Sequence, residues 1–399
     1  MTGLVRTITN SGHRKAMKHR VAIFTTTLLT SSLACAAPST RYVVTGATPI
    51  DLGTLGGAQS KALDINNGGY IVGWATTADE QRHAFYYIGA ASYMYDIGAT
   101  SGIGASEAHG INNSNRVVGY SVNTLGLSHA FLWYAGGHVM LADADPYPPN
   151  GRLYSTAVAI SDDGYIVGQR IYLDLGFREA TLWSDYLTFH SLYPTYSVAS
   201  FAHDVNVSAQ AVGREKFYDF VHRWNWSPAG ITDNIVPGVV VAVSIGDALG
   251  INAGGAVVGS DIVCCASPGV YAKHAFLWDG VSSISLDLGV LPDGTNSVAE
   301  DINNAHFIAG YGDRTRWWWF HPVISDSAFI YHAHFGLYEL PKLPGAAPHG
   351  NCRAHALNER QASSGLVQVV GYCEVAGGGP RAVRWDVTVR AVSILPPRL

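Results

Sequence analysis

The chain has 399 residues, 48% of them hydrophobic, with 44 glycines, 11% aromatic residues and only 14% charged residues. A formal net charge of −5 excludes the basic field that nucleic acid or an anionic lipid surface would select. Many glycines beside many aromatic and β-branched residues suit short strands joined by tight turns.

The first element is an export signal. Arg14, Lys15, Lys18, His19 and Arg20 form a basic stretch, Val21 to Leu33 is uncharged and mostly apolar, and Ala34-Cys35-Ala36 is a small-x-small cleavage pattern. Residues 1–36 therefore read as a signal peptide, with Met17 an alternative start and Ala37 the mature N-terminus. The apolar run is too short to span a bilayer, and no second one follows. Cys35 is a weak lipidation candidate, because Ser32 stands where such sites want Leu.

From residue 37 onward one motif recurs. It opens as Ala62-Leu63-Asp64-Ile65-Asn66, turns through Asn67-Gly68-Gly69 and closes on Tyr70-Ile71-Val72-Gly73. Copies begin again at Ala108, Ala157, Ala202, Ala248, Ala299 and Ala354, and close on Gly119, Gly168, Gly213, Gly259, Gly310 and Gly371. The Ala and the Gly occur in all seven copies; the Asn occurs in six, with Ser161 in its place in the third. Each copy is a β-hairpin, since its turn residues reach positive φ cheaply. A third strand follows, clearest in His83-Ala84-Phe85-Tyr86-Tyr87, His129-Ala130-Phe131-Leu132-Trp133 and His274-Ala275-Phe276-Leu277-Trp278. A short fourth strand often ends in Asp-Leu-Gly, as at Asp51-Leu52-Gly53 and Asp287-Leu288-Gly289.

Four strands every 45 to 55 residues is the dimension of a propeller blade. Ring closure buries both faces of each sheet and removes the end units. The expected fold is an all-β, seven-bladed β-propeller over residues 37–399. Eight segments look like fourth strands, because Tyr42–Leu52 precedes the first hairpin and Val387–Leu395 follows the last third strand. One of the two completes the blade begun at the other terminus; the sequence leaves open which.

The string Asp51-Leu52-Gly53-Thr54-Leu55-Gly56-Gly57, with the recurrent Ile-Asn, Val-Val-Gly and His-Ala-Phe-Leu-Trp, resembles the bacterial extracellular HAF-repeat family. The likeness covers roughly residues 49–385 and is degenerate in copies four and six. It implies export and a β-rich repeat domain, and it carries no reaction.

Four cysteines remain after cleavage: Cys264, Cys265, Cys352 and Cys373. If Ile65 pairs with Tyr70 in copy one, Leu357 pairs with Gln368 in copy seven. Five residues back along one strand and five forward along the other then bring Cys352 opposite Cys373, within disulfide reach. Cys264-Cys265 falls in an insertion before the third strand of copy five. It has three open states: a vicinal disulfide, a link between chains, or free thiols.

The His-Ala-Phe histidines tempt as ligands, but Glu179, Phe220, Ser327 and Arg381 stand at the same place in other copies. That variety suits a strand-end packing position. Position two of the first strand is His109, His203, Glu300 and His355 in four copies and Leu63, Val158 and Leu249 in three. If this strand is innermost, those four side chains approach a central channel and suit zinc in type. Strict alternation instead puts position two on the face of the buried Ile, which makes them satisfied histidines between blades. Asp64, Asp204 and Asp301 match no compact calcium loop and read as local Asx turns.

An insert in copy six, Arg314 to His321, carries Trp317, Trp318 and Trp319. Consecutive aromatics on a strand point both ways, so one ring can face solvent and stack on a sugar or anchor a protein partner; the alternative is an aromatic plug. No linear catalytic, phosphate-binding or dinucleotide motif is present, and no catalytic residue, metal or cofactor is assigned. The expected function is an exported, non-enzymatic binding module presenting loops of one propeller face to a glycan or protein. The alternatives are a polysaccharide hydrolase or lyase built on the channel-facing residues, and a structural envelope protein.

Overall fold

The computed structural model describes residues 39–98, 104–135, 137–142, 153–172, 176–192, 199–216, 220–238, 246–267, 270–318 and 321–394. The export segment, Cys35 and Trp319 lie outside the described residues, as do the side chains of Cys264, Cys265, Trp317 and Trp318. Thr40–Ser393 forms one compact unit. It contains seven four-stranded antiparallel sheets, whose innermost strands neighbour one another in unbroken succession and close into a ring. The fold is a seven-bladed β-propeller, and no helix among the described residues is long and apolar enough to cross a membrane.

Blade 1 runs outward through Gly56–Ile65, Tyr70–Thr77, Arg82–Ile88 and Tyr93–Asp96. Blades 2 to 6 repeat this order. Blade 7 takes three strands from the C-terminus, Cys352–Leu357, Leu366–Val375 and Gly379–Ile394, and its outer strand from the N-terminus, Ser39–Asp51. Tyr42–Leu52 is therefore the closing strand. Val387 to Ile394 is not a separate element but the far end of the 16-residue third strand.

Every inner strand carries a β-bulge at position two. Ala62 pairs with Gly73 and Asp64 with Val72, so Leu63 has no partner, and the same step recurs after Ala108, Ala157, Ala202, Ala248, Ala299 and Ala354. Two residues then oppose one, which bends the strand and breaks the two-residue alternation. The bulge explains both invariant residues. The Ala of each copy is at most 2% exposed between blades. The closing Gly lies under a carbonyl: a Cβ would meet Lys61 O at 2.0 Å on Gly73 and Asp247 O at 1.9 Å on Gly259, and the other five copies are alike.

Polar repeats bind blade to blade. The Asn of five turns caps its own turn and reaches the next blade: Asn66 Oδ1 accepts from Gly68 N and Tyr70 N, while its Nδ2 donates to Asn112 O at 3.0 Å. Asn112, Asn206, Asn252 and Asn303 donate in the same way to residues 161, 252, 303 and 358. Asp64, Asp204 and Asp301 are not merely local turns. Each accepts from the amide that follows it and from one on the next blade, at Ile111, Ile251 and Leu357. A further repeat is a Ser two residues before the Ala. Ser60, Ser106, Ser155, Ser200 and Ser297 each accept the amide of the third-strand Ala of the preceding blade. In blade 7 Cys352 takes this place and is bonded to Cys373.

Two of the three His-Ala-Phe histidines pair across strands with the Asp that opens Asp-Leu-Gly or its Asp-Ile-Gly variant. His83 Nδ1 lies 2.8 Å from Asp96 Oδ2 and His274 Nδ1 lies 2.9 Å from Asp287 Oδ2, while Arg381 makes the same link to Asp51 at 3.0 Å. Cys264 and Cys265 continue the second strand of blade 5, Val257–Ser267, so this insertion is hairpin rather than loop.

Candidate functional site

The ring of inner strands encloses a channel, and its two ends differ because the hairpins point the same way. One end carries the tight Asn turns. Five turn amides there donate in sequence to a side chain on the next blade, from Asn67 to Asn113, Asn113 to Asp162, Ala253 to Asn304, Asn304 to Glu359 and Glu359 back to Asn67. This end is a sewn rim around a polar depression of about 180 Å³. The polar groups are engaged with one another, so the rim is structural first.

Farther in, the bulged position-two residues meet. His109, His203, Glu300 and His355 line one cavity of about 290 Å³, with Leu63, Val158 and Leu249 completing its wall. A regular strand would have placed these residues between blades; the bulge turns them to the channel. Their environments differ. His109 Nε2 lies 3.1 Å from Glu107 Oε2. Burial pushes the Glu107 carboxyl up, but the hydrogen bonds of His109 and Arg82 prevail and hold it at about 2. His203 Nε2 has no hydrogen-bond partner, and its nearest anion is Asp247 Oδ1 at 3.8 Å. Burial lowers the His203 pKa, Asp247 opposes, and Arg214 adds to the lowering. His355 Nε2 is likewise without a partner. Burial, with Lys61 and Arg353 nearby, brings this imidazole down to about 3, so it is neutral at any ordinary pH.

Glu300 is the acid of the set. Burial pushes its carboxyl up to about 7, with Asp247 and Asp301 adding to the rise and Arg353 and Lys273 opposing it. A neutral carboxylic acid and neutral imidazoles at near-neutral pH can donate and accept hydrogen bonds without a fixed charge. The three further carboxyls on the wall, Asp64, Asp204 and Asp301, are all raised by burial, the latter two to about 8 and about 6. They are tied to the backbone of two blades and are not free for a ligand. Among the described residues, no group of three or more His, Cys, Asp or Glu is placed to hold a metal ion.

The end opposite the Asn rim carries the hairpin loops. Here, in blades 1 and 7, the residue before the motif Ala leans on a ring of the preceding blade. The Lys61 ammonium lies 4.1 Å from the centre of the Tyr372 ring, and the Arg353 guanidinium lies 4.3 Å from that of Tyr311. Arg82 covers Trp74 at 4.2 Å and binds Glu107 at 2.7 Å. This end is therefore rich in cations and aromatic rings, a combination that composition alone did not reveal. The longest hairpin, Ile308–Trp318 with His321–His332, extends on the same side, with Trp317 opposite Pro322 and Trp318 opposite His321 at its tip.

No protein-family model matches this sequence, and no curated protein matches it. Solved structures share its architecture at low identity. The β-propeller domain of the Trilobed protease from Pyrococcus furiosus is 10% identical, with 85% of this chain and 100% of that one covered and a TM-score of 0.49. The Pyrococcus horikoshii acylaminoacyl peptidase is 8% identical, with 83% of this chain covered and a TM-score of 0.47; the match spans about half, 53%, of that chain. Trypanosoma rangeli sialidase is 11% identical, with coverages of 86% and 60% and a TM-score of 0.40.

Proposed function

We propose that the chain is an exported binding module that receives a glycan at the loop-bearing end of its channel. The observation that carries this reading is the cavity of about 290 Å³ formed by the seven bulged positions. Burial favours the uncharged forms of Glu300, His203 and His355 in it, and aromatic rings stand beside it at one end. Sugar recognition asks for that mixture: ring faces for stacking, and donors and acceptors for hydroxyls. The volume admits one sugar residue and not a buried chain. The exposed length of a polymer would cross the loop face, where the hairpin that reaches Trp318 extends. The disulfide and the likeness to HAF repeats support export.

A glycan array probed with the mature chain tests this. Retention of a defined set of saccharides is expected. No retention, with release of sugars from a polysaccharide panel, would replace the binding reading with a hydrolase or lyase. One observation favours that second reading: Glu300, raised to about 7, shares a cavity with neutral His355, and a carboxyl poised near neutrality suits proton transfer.

A further inference from the structure

The cations of the loop-bearing end are not equivalent. Arg82 is paired with Glu107 at 2.7 Å, Arg353 with Asp326 at 2.6 Å and Arg214 with Asp247 at 2.7 Å. Lys61 holds the position on blade 1 that Arg353 holds on blade 7, yet it has no ion-pair partner among the described residues. It rests over the ring of Tyr372 and is half-buried. Burial and the charges of Arg353 and Arg82 disfavour its charged form, and Glu107 and Glu374 offset this in part. A desolvated cation beside two others, with no anion of its own, is stabilised by any anion that arrives.

The same ring leads inward. His355 stacks on Tyr372 with centroids 5.7 Å apart and planes at 25°. His355 lines the cavity that Glu300 also lines. A path therefore runs from Lys61 across Tyr372 to His355 and Glu300, from a cation over an aromatic face to neutral hydrogen-bonding groups.

We infer that this path binds the uronic acid residue of an acidic glycan, with the sugar carboxylate on Lys61, the ring against Tyr372 and hydroxyls directed to His355 and Glu300. The inference rests on the glycan reading above and specifies its ligand class. Glu300 faces Arg353 and Tyr372 on blade 7, Asp247 and Lys273 on blade 5, and Asp301 and Tyr311 on its own blade. Kept protonated, it donates to the sugar without repelling the carboxylate, so binding tightens as pH falls through about 7.

Calorimetric titration of the full chain with D-glucuronic acid, D-glucose and glucose 6-sulfate tests the inference. D-glucuronic acid is expected to bind at least tenfold more tightly than the other two. Lys61→Gln should lose that preference tenfold and Lys61→Arg should keep it, with both variants melting like the wild type because Lys61 lies outside the core. Equal affinity for glucose and glucuronic acid, preference for the sulfate, or an unchanged Lys61→Gln variant overturns it. Those results beside a positive glycan array leave the binding module standing with a different ligand. No saccharide bound in either experiment removes both readings.

Discussion

Breaking the Cys352–Cys373 bond tests two features at once, because Cys352 stands where five other blades have a Ser that accepts an amide from the preceding blade. The bond closes a loop of 21 residues, for which chain entropy gives a stabilisation of about 3 kcal/mol. A Ser at position 352 can accept the Ala328 amide and restore about 1 kcal/mol. In a unit of roughly 350 residues, unfolding entropy of about 2.1 cal/mol/K per residue turns 3 kcal/mol into a shift of roughly 4 °C. Calorimetry should therefore order the proteins as oxidised wild type, then Cys352→Ser with Cys373→Ala, then Cys352→Ala with Cys373→Ala. Reduced wild type should fall near the last two. An Ala double variant melting within 1 °C of oxidised wild type would refute the crosslink argument. A Ser variant no better than the Ala variant would refute the assignment of the Ser position.

Three further outcomes follow from other residues. Gly259→Ala forces a Cβ to 1.9 Å from Asp247 O and should destabilise by about 3 kcal/mol or prevent folding, read as soluble yield and protease resistance. Asn303→Ala removes two turn bonds and the link to Asn358 O and should cost about 2 kcal/mol in chemical denaturation; Asn303→Ser should cost less, since Ser161 fills this place in blade 3 with a bond from Tyr165 N. Glu300→Gln should change the pH profile. A carboxyl raised to about 7 stabilises the fold fully below its unfolded value, near 4.5, and that contribution is lost as pH rises through 7. The gap between variant and wild type should thus grow in the variant's favour from pH 5 to pH 8. The amount should be about 1–2 kcal/mol, less than the shift alone implies because the cavity admits solvent. Urea melts at the two pH values check it.

The blade repeat was legible because every copy keeps the same order of Ala, Asn and Gly, and repetition needs no propensity scale to be seen. The bulge was not, because it leaves that spacing untouched: five residues run from Ala to Asn whether or not one is unpaired. Its effect on the disulfide is instructive. Ile65 pairs with Ile71 and Leu357 with Val369, one residue from the expected register, yet the bulge at His355 takes the step back and sets Cys352 opposite Cys373. Two opposite errors cancelled. For the channel there was no such cancellation. Alternation placed His109, His203, Glu300 and His355 among satisfied side chains between blades, whereas they line the cavity. The Ser two residues before the Ala was readable but lay outside the motif boundary, and its value depends on a partner some 20 residues away on the preceding blade. The aromatic end of the channel was invisible because Tyr311 and Tyr372 belong to second strands, while Arg353 and Lys61 come from the first strands of the blades that follow.

The outer strand of blade 7 is the first strand made, and it must wait for the last. Asp51 and Arg381, 330 residues apart in sequence, end as cross-strand partners. The ring cannot close before the strand Gly379–Ile394 has been made. Until the final strand has been synthesised, the chain carries an unpaired edge at each end, a state prone to pairing with other chains. A polypeptide threaded through a membrane before folding meets this restriction at no extra penalty, since it must stay open during transit in any case. Moving Ser39–Asp51 to follow Ile394 would convert the last contact from remote to local, and the permuted ring should then fold faster with the same final architecture.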